Sequence, residues 1–295
     1  MFALIVVVVI GAVVGEWYVG ASEGHDEVAC QPTGSAVQLE NLREASGLTL
    51  SVRTPGILWS FNDSGDPLIY ALDTTGHLRG TVRVTGAKVK NWEAIASAHC
   101  GQGTCLYVAD IGDNKEKRPE ITVYRVAEPL PTDSATAPAE RLLARYPDGP
   151  HDAEALFVTR DGTINVVTKD KPASVYRFPQ TLRFDTPMEL EPHATLPMEK
   201  VTDADASPDG EWIVVRSKEE MIFFRDEEFA LAEHGTPISL RPLGEPQGEG
   251  VAIGGDGTVY LASEGKRGQP GSFRTMRCEF PGSGPSSTHA PAAKR

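Results

Sequence analysis

Three segments of the chain share one pattern of apolar and polar positions and align without a gap. Each consists of a short apolar run, an Asp-Gly pair and a second apolar run, and they begin at Glu154, Thr202 and Glu249. Asp-Gly between two alternating apolar runs is a strong hairpin signal, because the tight turns that join antiparallel strands require residues that tolerate positive φ. The pattern therefore predicts three β-hairpins of the same design.

Two further copies, which begin at Ser46 and Glu93, carry longer turns. A third apolar strand is expected after each hairpin, at 69–73, 121–129, 174–179, 221–226 and 273–280. Fourth, outer strands are indicated at 78–84, 139–146, 188–196 and 237–243. A Pro/Ala/Thr-rich surface loop, 129–140, accounts for the longer interval after the second copy. Four strands in a unit of roughly 40–50 residues are typical of a propeller. We therefore predict an all-β, five-bladed β-propeller.

The two ends of the chain are expected to complete the ring. The segment after residue 280 is rich in Pro, Ser and Gly, so the fifth unit has no outer strand of its own and the N-terminal segment 36–42 is expected to supply it. The expected organisation is an N-terminal signal or anchor segment (1–21), a linker (22–35), the propeller (36–281) and a disordered tail (282–295).

The four cysteines allow three pairings, or could remain free thiols. Cys100 and Cys105 lie within one hairpin turn, where a bridge would hold the loop. Cys30 and Cys278 lie beside the two strands that would close the ring. The fold therefore favours Cys30–Cys278 and Cys100–Cys105, and an even cysteine count agrees with export.

The apolar run Phe2–Gly15 is shorter than the roughly 20 residues that cross a bilayer and suits a signal peptide. No Lys or Arg precedes it, so an uncleaved anchor remains the alternative. The net charge of -13 argues against nucleic acid or an anionic membrane surface as partner. We expect an extracytoplasmic monomer, secreted, periplasmic or anchored, that meets a membrane only through its N-terminal segment.

Propeller geometry brings the openings of the innermost strands together around the central channel. The residues at these openings are Ser46, Glu93, Glu154, Thr202 and Glu249. Three carboxylates that point into one channel repel one another and need a neutralising charge. Six to eight oxygen ligands suit Ca²⁺, whereas the lack of sulfur and imidazole argues against zinc or copper. The five residues are therefore predicted to bind Ca²⁺; the alternative is that the glutamates accept backbone N–H groups around a water-filled channel.

Polar residues at the ends of the second strands are expected on the same face. The candidate ligand-binding residues are Asn62, Asp63, Asp110, Asp113, Lys169, Arg216 and Glu264. The basic members, together with Lys218 and a central Ca²⁺, would suit an anionic ligand such as a phosphate or carboxylate. The segment 203–210 (DADASPDG) resembles an EF-hand loop, but Pro208 stands where glycine is required, so a strand is the better interpretation.

The strand openings EASGL (44–48), NWEAIA (91–96), DAEALF (152–157), VTDADA (201–206) and GEGVAI (248–253) resemble those of calcium-activated nucleotidases of the apyrase type. That resemblance implies a five-bladed propeller with Ca²⁺ in the channel, and a ligand role for the five ring residues. EASGL and GEGVAI are also similar to the esterase-like phytase and SdiA-regulated groups of secreted bacterial propellers.

Two functions remain open at this point. The chain is either a calcium-binding propeller that holds an anionic small molecule or a surface protein on its channel face, or a metal-dependent hydrolase of phosphoesters or nucleotides. In the second case Asp110 or Glu93 is the candidate catalytic residue that activates water.

Overall fold

The computed structural model describes residues 28–39, 41–226, 235–266 and 269–280. In chain order its strands are β1 (Ala29–Leu39), β2 (Ala45–Leu50), β3 (Ile57–Asn62), β4 (Leu68–Asp73), β5 (Leu78–Arg83), β6 (Trp92–Cys100), β7 (Gly103–Asp110), β8 (Ile121–Ala127), β9 (Ser134–Ala135), β10 (Glu140–Arg145), β11 (Ala153–Val158), β12 (Ile164–Thr168), β13 (Ala173–Arg177), β14 (Met188–Glu189), β15 (Glu191–Leu196), β16 (Val201–Ala206), β17 (Trp212–Ser217), β18 (Glu220–Arg225), β19 (Ile238–Ser239), β20 (Gln247–Ile253), β21 (Thr258–Glu264) and β22 (Gly271–Glu279). A short 3-10 turn spans Arg241–Leu243.

The strands form five separate sheets, which are the five blades of the predicted propeller. From the channel outward the blades are β2–β3–β4–β5, β6–β7–β8–β10, β11–β12–β13–β15, β16–β17–β18–β19 and β20–β21–β22–β1. In the last three blades an Asp-Gly pair joins the first two strands, and its glycine has positive φ: 86° at Gly162, 69° at Gly210 and 84° at Gly257. The hairpin prediction is therefore confirmed at the positions where the sequence indicated it.

The core of the molecule lies between the blades. All residues of β11 and β12 are buried, because neighbouring blades cover both faces of the inner strands. The outer strands β5 and β10 instead bury alternate residues near one end. Between blades 1 and 2, the rings of Phe61 and Trp92 pack edge to face with their centroids 5.8 Å apart. This layered burial explains why β11 and β12 are rich in apolar residues, whereas the outer strands β5 and β10 carry more polar ones.

The N-terminal strand closes the ring as predicted. β1 pairs antiparallel with β22, with Cys30 opposite Cys278, and a disulfide joins these two residues. A second disulfide joins Cys100 and Cys105, and none of the cysteines is free. β1 begins at Ala29, within the segment expected to be a linker, so the propeller starts earlier than expected.

The outer edges of the blades differ from the prediction. The loop 129–140 contains β9, which pairs parallel with β5 of blade 1. The expected strand 188–196 is split, because β14 pairs parallel with β10 of blade 2 while β15 forms the edge of blade 3. These segments cover backbone groups that an edge strand would otherwise leave unpaired. The expected strand 237–243 is reduced to β19 and the 3-10 turn, since Pro242 has no N–H for a ladder.

The expected N-terminal segment 1–21 and tail 282–295 lie outside the described residues. Among the residues that are described, none of the helical segments has the length and apolar character needed to cross a membrane.

Candidate functional site

The openings of the five innermost strands share a backbone irregularity. In every blade the register between the innermost strand and the next one shifts at the same place. The residues within these five shifts include the predicted ring residues Ser46, Glu93, Glu154, Thr202 and Glu249. A β-bulge redirects a side chain out of the regular alternation and is common next to functional sites. The repeated bulge therefore places one ring residue from each blade at an equivalent position. We call the end of the channel where these five strand openings lie the channel mouth.

Glu154 lies close enough to the other two ring glutamates, Glu93 and Glu249, to influence their pKa values. Burial raises the pKa of Glu93 to about 9, with the charges of Glu154 and Asp63 as further causes. Burial also raises the pKa of Glu249 to about 7, and Glu154 adds to that rise while Lys218 opposes it. The pKa of Glu154 is raised by burial in spite of Lys169. Burial is the largest cause of each rise, so the fold disfavours the charged form of these carboxyl groups unless a proton or a cation accompanies them.

Two lysines and an asparagine contact the ring glutamates. Lys169 forms an ion pair with Glu154, and the amide of Asn91 donates a hydrogen bond to Glu93. The ammonium of Lys218 lies 3.6 Å from a carboxylate oxygen of Glu249. The sequence led us to expect that the ring glutamates bind either a metal ion or backbone N–H groups. Their ion pairs with lysine were not predicted.

The two ring hydroxyls connect neighbouring blades. Ser46 Oγ donates to the backbone oxygen of Glu93 at 3.3 Å, and Thr202 Oγ1 donates to the backbone oxygen of Glu249 at 3.1 Å. A hydroxyl that donates one hydrogen bond still has lone pairs that can face a cation. Both hydroxyls are therefore held at the ring and keep acceptor capacity.

The donor types of the ring fit Ca²⁺, but the side chains do not stand in ligand geometry. Within the described ranges, no three acidic, histidine or cysteine side chains are arranged as a set of metal ligands. The ammonium of Lys169 donates a hydrogen bond to the carboxylate of Glu154, which is one of the predicted ligands. The oxygen donors of the ring are of the type that Ca²⁺ prefers, but Glu154 could become a ligand only if Lys169 moved away from it.

Several predicted ligand-binding residues are engaged by the protein itself. Asp110 is 1% exposed, forms an ion pair with Arg118 at 2.8 Å and accepts the N–H groups of Lys90 and Asn91. Asp113 accepts the N–H groups of Lys117 and Arg118. These two aspartates hold the 110–118 loop in place rather than facing a ligand.

Arg216 is also part of the internal framework. Its side chain is 0% exposed and contacts Glu245 at 2.8 Å. Its remaining nitrogens donate to the backbone oxygens of Ser217 and Gly250. Arg216 is therefore buried and engaged at all three of its nitrogens, whereas Lys169 and Lys218 are the predicted basic residues that contact ring glutamates.

The remaining strand-end residues lie near the acidic side of the mouth. Asn62 accepts the backbone N–H of Glu44, and Glu264 accepts a hydrogen bond from Gln247. One carboxylate oxygen of Asp63 is buried without a hydrogen-bond partner. Burial, followed by the charges of Glu44 and Glu264, raises the pKa of Asp63 to about 6. Asp63 therefore lies within electrostatic range of Glu93 on one side and of Glu264 in blade 5 on the other.

Two aspartates of β16 were assigned only to a strand by the sequence, but they connect three blades. Asp203 accepts the backbone N–H groups of Leu48 in blade 1, at 3.0 Å, and Val251 in blade 5, at 2.8 Å. Burial raises its pKa well above the usual value, and its second oxygen is buried without a partner. Asp205 makes the corresponding contacts one step further along the strand, with Thr49 and Ile253. The acidic alternation of DADA in an innermost strand was the available signal for this role.

The sequence matches no known protein-family model and no curated protein. The fold is similar to that of a PQQ-bound aldose sugar dehydrogenase from Streptomyces coelicolor, with a TM-score of 0.51 and 11% identity over 87% of this chain and 100% of that one. A glucose dehydrogenase has a TM-score of 0.49 and 10% identity over 82% and 99%. A gluconolactonase from Xanthomonas campestris has a TM-score of 0.45 and 12% identity over 76% and 69%.

At these identities the likeness shows the fold alone. The resemblance to nucleotidases and phytases remains an expectation that depends on the strand-opening motifs.

Proposed function

We propose that this chain is an exported binding propeller that holds Ca²⁺ at its channel mouth and an anionic small molecule or surface protein beside it. The observation that supports this proposal is the bulge at every strand opening, together with the influence of Glu154 on the pKa values of both Glu93 and Glu249. Buried carboxylates that raise one another's pKa take up a proton or a cation, and a divalent cation neutralises more of the charge.

The residues that would hold Ca²⁺ are the three glutamates, with the hydroxyl oxygens of Ser46 and Thr202 completing the ring. Bound Ca²⁺ supplies a positive charge to which an anionic group can bind. Lys169 and Lys218 lie beside the same carboxylates and add the positive charge that a phosphate or carboxylate needs. Asp203 and Asp205 occupy the channel beyond the ring, so the ligand is expected to approach from the mouth.

The disulfides support an extracytoplasmic location, and the net charge supports cation binding. Both disulfides need an oxidising compartment to persist. The net charge of -13 also suits a protein that attracts cations.

A metal-dependent phosphoester hydrolase is the second candidate, and one observation favours it. Burial raises the pKa of Glu93 to about 9, so in this second function Glu93 would hold a proton for the leaving group and leave the cation to Glu154 and Glu249. Asp110, the other catalytic candidate, is held by Arg118. A phosphate-release screen with Ca²⁺ and with chelator separates the two functions, because turnover that chelation abolishes supports the hydrolase.

Thermal unfolding with Ca²⁺ or EDTA tests the binding proposal. At a Ca²⁺ concentration of 100 Kd, the folded chain should gain about 2.7 kcal/mol. Glu154→Gln should lose most of this gain because it removes a central carboxylate. The matched control is Glu191→Gln, an exposed partner of Arg177 on the surface of blade 3, which should keep it. A melting temperature that is the same in Ca²⁺ and EDTA for the unaltered chain would refute the proposal.

A further inference from the structure

Lys169 is held beside the ring by its own backbone. It follows β12 directly, and its N–H donates to the backbone oxygen of Asp152 at 2.8 Å, next to the start of β11. From this position its side chain, 29% exposed, reaches Glu154, whose side chain is 8% exposed. The contact therefore depends on the strand framework and on a well-buried carboxylate, unlike an ion pair between two mobile surface side chains.

The ammonium of Lys169 pairs with Glu154 and lies within electrostatic range of two further carboxylates, those of Asp152 and Glu249. Glu154 and Asp152 belong to blade 3, whereas Glu249 opens blade 5. A single positive charge thus lies among the acidic groups on which the proposed cation site depends.

Lys218 provides an internal comparison. Its ammonium is 3.6 Å from Glu249, and its side chain is 45% exposed. It is therefore a more solvated rim residue with a longer contact, and its charge is screened more strongly by water.

We propose that Lys169 is the built-in counter-ion of the ring and that it sets the affinity of the site for Ca²⁺. This inference rests on the proposed function. The ammonium of Lys169 forms an ion pair with Glu154. This ion pair must break, and the ammonium must move away, before Glu154 can become a ligand of Ca²⁺. Its charge therefore opposes cation binding by competing for the same carboxylate and by repulsion. After withdrawal, the ammonium is available to an anionic ligand at the rim.

The test is isothermal titration of the full chain with CaCl₂. Replacing Lys169 by an uncharged residue should tighten Ca²⁺ binding by about tenfold or more, since a unit charge is removed a few ångströms from the cation. Lys169→Met is the first variant. Lys169→Gln is the second, because its amide can still donate a hydrogen bond to Glu154 if the methionine variant does not fold.

Two controls separate the charge from other effects. Lys169→Arg keeps the charge and should not tighten binding. Lys171→Met removes the same charge from an exposed surface pair with Glu199 and should bind like the unaltered chain. A purely structural role of Lys169 would lower the melting temperature in EDTA without any gain in affinity.

The outcomes distinguish the inference from the proposed function. If the unaltered chain binds Ca²⁺ and both uncharged variants bind it equally or more weakly, the role of Lys169 is refuted while the calcium site stands. If neither the unaltered chain nor any variant binds Ca²⁺, the proposed function itself is refuted, and this inference with it.

Discussion

The two disulfides close loops of very different length, which gives a sharp stability prediction. Cys30 and Cys278 are 248 residues apart in sequence, whereas Cys100 and Cys105 are 5 apart. In the chain-entropy model, a bridge stabilises the fold by restricting the unfolded chain, and the effect grows with the logarithm of the loop. The model gives about 5 kcal/mol for the first bridge and about 2 kcal/mol for the second.

Equilibrium unfolding in urea measures this difference directly. The variants Cys30→Ser/Cys278→Ser and Cys100→Ser/Cys105→Ser change the same residue types in the same number, so each controls for the other. The first should lose roughly 3 kcal/mol more than the second. Without the Cys30–Cys278 bridge, the start of β1 should fray, whereas its other end should stay in place because Leu39 is buried. Equal losses, or a larger loss for the hairpin bridge, would refute the closure argument.

Three further predictions concern the framework. Burial raises the pKa of Asp205 in the folded chain to about 8, so the protonated carboxyl contributes its full stability below the pKa of the unfolded chain and loses it as the pH rises toward 8. The stability of the unaltered chain relative to Asp205→Asn should therefore fall between pH 4 and pH 8, and a constant difference would contradict this. Arg216→Met leaves Glu245 buried without its partner and should cost about 3–5 kcal/mol in urea unfolding, where a loss below about 1 kcal/mol would be inconsistent with the pairing. A Cβ at Gly80 would lie 2.6 Å from the backbone of Thr132, so Gly80→Ala should cost about 1–3 kcal/mol by displacing the loop that covers blade 1, and an unchanged melting temperature would count against that packing.

Local patterns were sufficient to predict the fold. The Asp-Gly turns and the apolar runs determine the hairpins, since both depend on residues adjacent in sequence. The ring closure and the Cys30–Cys278 bridge follow from the number of blades and the missing outer strand of the fifth unit, whereas the Cys100–Cys105 bridge follows from its hairpin turn. The parallel pairs of β9 and β14 were not predictable, because two-residue strands carry no periodicity.

The site was predicted only in part, because side-chain partners depend on distances across the channel. The positions of the ring residues followed from the repeats, but the pairing of Lys169 with Glu154 depends on the direction of a side chain after β12. Asp203 reaches the backbone N–H groups of Leu48 and Val251; the acidic alternation of 203–206 marks Asp203 as unusual for an inner strand but does not indicate which groups it contacts. Arg216 is basic in sequence and buried in the fold, so its charge alone gave no indication of its internal partner.

The most direct test of the account is the anomalous scattering of crystals grown with Ca²⁺. We expect one ion at the channel mouth, about 2.3–2.6 Å from carboxylate oxygens of Glu93, Glu154 and Glu249, with Lys169 moved away from Glu154. A mouth without an ion at saturating Ca²⁺, with Lys169 still paired to Glu154, would contradict the central claim that these strand openings form a cation site.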